Sequence, residues 1–334
     1  MILNTVTRDR QPPRNAWSRE KLLRERAIAL GYAIELSTFH TYNSHLQSYL
    51  SFCKIHNFPI DPTPDTLSFF VVFMSHHIKP QSVATYLSGI CNTLEPHFPH
   101  VCSARNSSLV SRSLAGMRKL CGSTMSIQKR PLTPDDLSTL LSAFDSPSHD
   151  NFLFLAMLFT GFAALLRLGE MTISNSPMKR SSKKIPARHT LSLLPTQFSF
   201  QLPFHKADCF YQGNKIVVLA KPGMPLDPLL FMHRYISSRD SLFPFHPELW
   251  LTSIGVVPTA AWFTSRLTSI LGPDVGGHSI RSGAATSLAL AGVPDNVIQG
   301  LGRWSSQAFK LYIRKHPVIL QALLHGRPAL DAPQ

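Results

Sequence analysis

One stretch of the chain departs from helical periodicity, and its place near the middle limits the fold to a mainly helical protein with a small β-hairpin or sheet. Between Thr190 and Leu202, and again from Lys215 to Leu219, β-branched and aromatic residues alternate with polar ones around a Gly213-Asn214 turn. Everything before and after has the period of a helix. Phe39, Tyr42, Leu46, Tyr49 and Phe52 recur as one apolar stripe after Ser37. Thr63, Pro64 and Asp65 supply an N-cap, a first-turn proline and a first-turn acid ahead of LSFFVVFM. Further helices are predicted from Ser82 through Tyr86 and Ile90, and from Ser108 to Leu120, ending near Gly122 with Arg112, Arg118 and Lys119 facing outward. These four make one unit with a basic side.

The polar segment GSTMSIQKRPLTPDD contains Pro131 and Pro134 and places a domain boundary near residue 125. Thr133 caps a helix over Pro134–Phe144, and a second is predicted over Asn151–Leu168. A Lys/Ser loop, SPMKRSSKKIPARH, leads into the strands, and helices return from about Leu226. The basic first thirty-odd residues read as a flexible arm or a short amphipathic helix. The expected organisation is an arm over 1–35, a helical unit over 36–125, a second domain over 126–316 and a tail over 317–334.

At 334 residues and 44% hydrophobic content, the chain can build a core in each of two domains. Its formal charge of +14 coexists with only 16% charged residues, so the excess comes from scarce acids. Lys and Arg cluster at Arg8–Arg26, Arg112–Lys119, Lys179–Arg188 and Arg303–Lys315. A spread of this kind suits a protein that wraps a polyanion, with nucleic acid first. The five cysteines show no CxxC pair, and the fifteen histidines are scattered, so neither a disulfide framework nor a metal site is expected, and the compartment is reducing. A strongly apolar, uncharged run, Phe152 to Leu166, is too short to span a bilayer and reads as a buried helix.

His278 and Arg281 lie three residues apart in GHSIRSGAATSLALAGVPDNVIQGLGRW, which places both on the first turn of one helix, where Ser279 can cap and the helix dipole favours an anion. Gly292-Val293-Pro294 then makes a tight turn before a second helix, an arrangement also compatible with a groove-reading helix-turn-helix. Trp304 and Tyr312 follow among Arg303, Lys310, Arg314 and Lys315, a density of cations that structural aromatics do not need.

Five positions in order, the Arg of TGFAALLRLGE, the Lys of LPFHKADCFYQG, HSIR, LGRW and KLYIR, resemble the tyrosine recombinase (phage integrase) superfamily, and especially its eukaryotic, Crypton-type and fungal DNA breaking-rejoining members. The resemblance covers about residues 130 to 315, and the preceding unit is similar to the family's SAM-like core-binding domain. It implies an α+β catalytic domain in which Tyr312 attacks the scissile phosphate and forms a 3′-phosphotyrosyl bond as a 5′-hydroxyl leaves. Arg167, His278 and Arg281 would hold that phosphate, Lys206 would protonate the leaving oxygen, and Trp304 would take the family's His/Trp position. Lys215 and Lys221 lie on or near the same hairpin as alternatives to Lys206. The spacing between Gly161 and Arg167 is longer than in phage enzymes.

The partner implied is double-stranded DNA, clamped between the two domains, with Arg112, Arg118, Lys119, Lys129, Arg130, Arg303 and Arg314 as phosphate contacts. Self-association as a dimer or tetramer on DNA is expected, with the apolar tail HPVILQALLHG docking on a neighbouring subunit. No cofactor, metal, small-molecule substrate or membrane is implied, because the covalent link conserves the bond energy. The eukaryotic resemblance implies nuclear location; a prokaryotic chain would be cytoplasmic. A type IB topoisomerase and a non-catalytic DNA-binding protein derived from a recombinase stay open as alternatives.

Overall fold

Side-chain hydroxyls and prolines fix where the helices begin. The computed structural model describes residues 14–121, 129–203, 213–304, 306, 309 and 310, and the chain divides into two compact units, Met1–Ser126 and Ile127–Gln334.

In the first unit, α1 (Arg19–Tyr32) is followed by α2 (Leu36–His56), α3 (Pro64–Ser75), α4 (Pro80–Leu94), the short α5 (Val101–Arg105) and α6 (Ser108–Cys121). Thr63 caps α3 as its sequence predicts, its hydroxyl accepting from the Thr66 amide at 3.2 Å. Tyr49, Phe52, Leu67, Phe70, Leu87 and Ile90 fill the core. Two expectations change here. Phe39, assigned to the buried stripe, is 56% exposed. A position that does go inside, six residues later, is His45, its ring stacked on Tyr86 at 4.1 Å between centroids. Gly89 makes that stacking possible, since a Cβ there would fall 2.5 Å from His45 Nδ1. The arm, for its part, is helical from Arg19, but α1 buries no residue and Leu22, Leu23, Ile28 and Leu30 do not share one face. The short α5 adds a turn that the four predicted helices do not include.

The second unit runs α7 (Pro134–Ala143), α8 (His149–Ala163), β1 (Ser192–Leu194), β2 (Gln197–Leu202), β3 (Asn214–Leu219), α9 (Pro228–Leu242), α10 (Ala260–Leu271), α11 (Gly277–Leu290) and α12 (Asp295–Leu301). From Leu153 to Gly161 every residue of α8 is buried, so this helix is the axis on which α9 and α11 pack. The sheet is antiparallel in the order β1-β2-β3, with Ser199 opposite Val217. It has three strands rather than two because the turn at Pro195-Thr196 splits the first predicted segment, as proline removes a ladder donor. Gly213, with φ +69°, leads directly into β3. Arg239, 1% exposed, ties down the loop after α9 by donating to the Phe243, His246 and Glu248 carbonyls and to Asp240.

Gly283 of α11 lies against the backbone of Leu132, whose amide donates to the Ser279 carbonyl at 3.0 Å; a Cβ would overlap Leu132 main-chain atoms that cannot give way. Gly283→Ala is therefore expected to destabilise the second unit by about 2 kcal/mol or more. Urea unfolding checks this, and Gly116→Ala on α6, where a Cβ meets open space, is expected to leave stability unchanged or slightly raised.

Candidate active site

The sequence predicts helix through Leu168, but α8 ends at Ala163, four residues before Arg167. Leu165 then takes a left-handed conformation (φ +51°) and redirects the chain. Arg167 emerges just before a 3-10 turn over Leu168–Glu170, held by its own neighbour. The Glu170 carboxylate accepts from the Arg167 amide at 2.8 Å and from its guanidinium at 3.0 Å. Glu170 is only 5% exposed and so can remain charged there only while paired.

Its second partner comes from beyond α12. After Gly302 the chain turns through Arg303, also left-handed at φ +55°, and the Arg303 guanidinium donates at 3.1 Å to Glu170 Oε2, the oxygen that also accepts the Arg167 amide. Arg303 also donates to the carbonyls of Ala164 and Leu165 at 3.4 and 3.5 Å. Burial depresses its pKa and Glu170 opposes that effect. Of the three non-glycine residues with positive φ among those described, Leu165 and Arg303 are thus joined to each other, the Arg303 guanidinium donating to the Leu165 carbonyl as well as to Glu170.

α11 supplies the other two predicted residues. Ser279 does not cap from the N-cap position; that residue is Gly276, and Ser279 reaches back from the third helical position to accept the Gly276 amide at 3.0 Å. The first turn packs closely on the 3-10 turn, since a Cβ on Gly277 would fall 2.5 Å from Leu168 Cδ2. Arg167, His278 and Arg281 are thus brought into one electrostatic neighbourhood. His278 is exposed, yet its pKa lies below the ordinary histidine value, through partial desolvation first and then through the charges of Arg281 and Arg167. It is neutral at pH 7.

Arg281 is 1% exposed. Its guanidinium donates to the Gly302 carbonyl and lies 4.2 Å from the centre of the Trp304 ring. Gly302 is required beneath that ring, because a Cβ would overlap it. Trp304 is fixed in turn by backbone and side-chain bonds with Gln299 at 3.1 and 3.2 Å. Leu165, Ala284, Ala285, Ile298 and Phe309 form a small apolar core below the site.

The other predicted residues divide into three groups. Arg112, Arg118, Lys119 and Lys129 are exposed, although Lys129 also donates to the Pro273 carbonyl. Arg130 is engaged by Asp136 and Asp274 at 2.5 and 2.8 Å, and Arg303 by Glu170. Lys206, Tyr312, Arg314 and the tail over 317–334 lie outside the described residues; Lys215 is exposed on β3. Glu170, three residues after Arg167, is expected from the sequence as its salt-bridge partner, and the structure shows that ion pair. The spacing does not reveal the second arginine. Among the described residues, no group of three or more His, Cys, Asp or Glu could hold a metal ion, and no helix is long and apolar enough to cross a membrane.

No family model matches the chain, and no curated protein is recognisably similar in sequence. Solved structures are similar in fold. XerH site-specific recombinase, in a post-cleavage complex with a palindromic difH substrate, superposes with a TM-score of 0.58 at 15% identity over 91% of this chain and 82% of its own. The Tn1549 transposon integrase in complex with transposon right end DNA gives 0.58 at 14% identity over 92% and 96%. A lambda integrase tetramer bound to a Holliday junction gives 0.50 at 14% over 88% and 76%.

Replacing Glu170 by Gln keeps the shape but leaves Arg303, with 12% side-chain exposure, without its counter-charge. Chemical unfolding is expected to show a loss of about 3 kcal/mol. A histidine NMR titration is expected to place the His278 midpoint below 6.5, and Arg281→Met to move it upward. The chain therefore has the fold of site-specific recombinases and integrases, and at this site it joins Arg167, His278 and Arg281.

Proposed function

We propose that the chain is a site-specific DNA recombinase or integrase that cleaves and rejoins duplex DNA through a 3′-phosphotyrosyl intermediate on Tyr312. The observation that carries this reading is the convergence of Arg167, His278 and Arg281 across the α8–α11 contact, within a fold shared with recombinases. Two arginines remain charged at any working pH and can each offer two donors to a phosphate, which neutralises the charge that develops in a phosphoryl-transfer transition state. A neutral His278 beside them can accept the Tyr312 proton, which matters because a phenol of ordinary pKa near 10 is a poor nucleophile at pH 7. Tyr312 follows Lys310 by two residues, a covalent reach of at most about 7 Å between Cα atoms. The anchors before it are buried Phe309, packed on Trp304, and the Lys310–Asp295 ion pair at 3.6 Å.

Lys206 is the proposed acid for the 5′-oxygen, with Lys215 as the alternative on the described strand. Since Arg281 is enclosed in the free chain, a phosphate meets both arginines only after the Trp304 ring, or chain beyond it, moves aside. The two basic units each supply phosphate contacts, with Arg112, Arg118, Lys119 and Lys129 outward-facing and Arg130 and Arg303 acting through their ion pairs. The proposed assembly is a dimer or tetramer on DNA, and the proposed affinity within the superfamily is to its eukaryotic, Crypton-type members. A non-catalytic relative would use the same surface, and Arg281's enclosure is the feature that favours that second reading.

Incubation with a duplex carrying a 5′-bridging phosphorothiolate, in EDTA, is expected to yield an SDS-resistant protein–DNA adduct that Tyr312→Phe abolishes. Arg167→Ala is expected to slow its formation by about 10²-fold or more. Adduct formation should be on its plateau at pH 7 and fall as His278 protonates below its depressed pKa. Binding without any adduct, equal in wild type and Tyr312→Phe, would support the non-catalytic reading. Adduct with every duplex sequence tested, together with relaxation of any supercoiled plasmid, would indicate topoisomerase chemistry instead.

A further inference from the structure

The sequence separates Cys91 and Cys102 by a connection with no motif, but the fold of the first unit sets them against each other. Cys91, near the end of α4, is 3% exposed; its Sγ lies 3.8 Å from the carbonyl of Val101, the residue before Cys102, and the neighbouring Cys102 thiol contributes to raising its pKa. α5 is tied to α4 one turn away, where Arg105 Nη2 donates to Ser88 Oγ at 2.9 Å. The same guanidinium reaches Cys91. Cys102 is the more accessible of the two, half-buried at the start of α5. A buried thiol beside a partly exposed one, with a fixed cation at hand, is an arrangement of resolving and attacking cysteines.

We propose that Cys91 and Cys102 form a reversible intramolecular disulfide linking α4 to α5 when the protein meets a peroxide. Cys102 thiolate attacks one peroxide oxygen, the O–O bond breaks, and a sulfenic acid forms as hydroxide leaves and takes up a proton. Cys91 sulfur then attacks Cys102 sulfur, the S–O bond breaks, and the hydroxyl departs as water with the Cys91 proton. Two thiols lose two electrons, and hydrogen peroxide is reduced to two waters. The order of attack follows from the environments. Burial pushes the Cys91 thiol up to about 11, with Arg105 opposing, so Cys91 acts second. Cys53, 2% exposed, faces Tyr49 instead of a second thiol. This inference does not rest on the proposed recombinase activity.

The test treats the full chain with stoichiometric hydrogen peroxide, alkylates it with iodoacetamide and digests it with trypsin. No Lys or Arg lies between the two cysteines, so one peptide ending at Arg105 carries both. That peptide is expected to lose two hydrogens in mass and both alkylation sites, and to regain them with dithiothreitol. In Cys91→Ser, Cys102 is expected to stop at a sulfenic acid trapped by dimedone; in Cys102→Ser, Cys91 is expected to stay reduced and fully alkylated after denaturation. Full alkylation of both residues in oxidised wild type would overturn the proposal. So would recovery of Cys102 only in a crosslink between two chains.

Discussion

One carboxylate holds the site together. Glu170 is nearly inaccessible to solvent and must be paired, and its two partners come from distant parts of the second unit: Arg167 from the exit of α8, Arg303 from the exit of α12. Each pairing requires a left-handed residue nearby, Leu165 in the first case and Arg303 itself in the second. The energy stored in those two backbones is of order 1–3 kcal/mol each, and the ion-pair network maintains them. With Arg303 anchored, the turn from Gly302 to Trp304 is fixed, so Trp304 lies over Arg281 and Arg281 meets the Gly302 carbonyl. Loss of the carboxylate would therefore loosen residues that never touch it.

The same arrangement explains how so basic a chain folds. Acids are scarce, and several of the described ones immobilise a cation: Asp136 and Asp274 at Arg130, Asp240 at Arg188 and Arg239, Asp150 at Arg266, Glu170 at the two site arginines. Geometry is gained at a few points without neutralising the whole. At the site itself the described charges are Arg167, Arg281 and Arg303 against Glu170 alone, a surplus that favours an incoming anion; the His278 pKa is depressed by desolvation first and then by Arg281 and Arg167.

Much of this was legible from pattern, because helix boundaries are written locally. Thr63-Pro64-Asp65 and Thr133-Pro134-Asp135 begin helices in the structure where their chemistry says they should. The mainly helical fold with a small antiparallel sheet followed from the one change of period. What failed to show was non-local. Phe39 has the right spacing but remains 56% exposed, whereas His45 is buried because Gly89, forty-four residues on, leaves room for its ring. The end of α8 was set by Leu165, whose left-handed backbone no propensity would suggest, and the strand break by the Pro195 turn within an otherwise strand-like run. In the candidate site, the order of motifs along the chain marks Arg167, His278 and Arg281, and the spacing of three marks Glu170 as the ion-pair partner of Arg167; its second partner, Arg303, lies 133 residues away and leaves no local signal.

The central claim is that Arg167, His278 and Arg281 act together on one phosphate. The most direct measurement is a structure of Tyr312→Phe on a nicked duplex that it binds. The account predicts a backbone phosphate within hydrogen-bonding distance of all three side chains, with the Trp304 ring displaced from the Arg281 guanidinium and Glu170 still joining Arg167 to Arg303. A duplex bound with Arg281 still enclosed under Trp304 and no phosphate at Arg167 would contradict it.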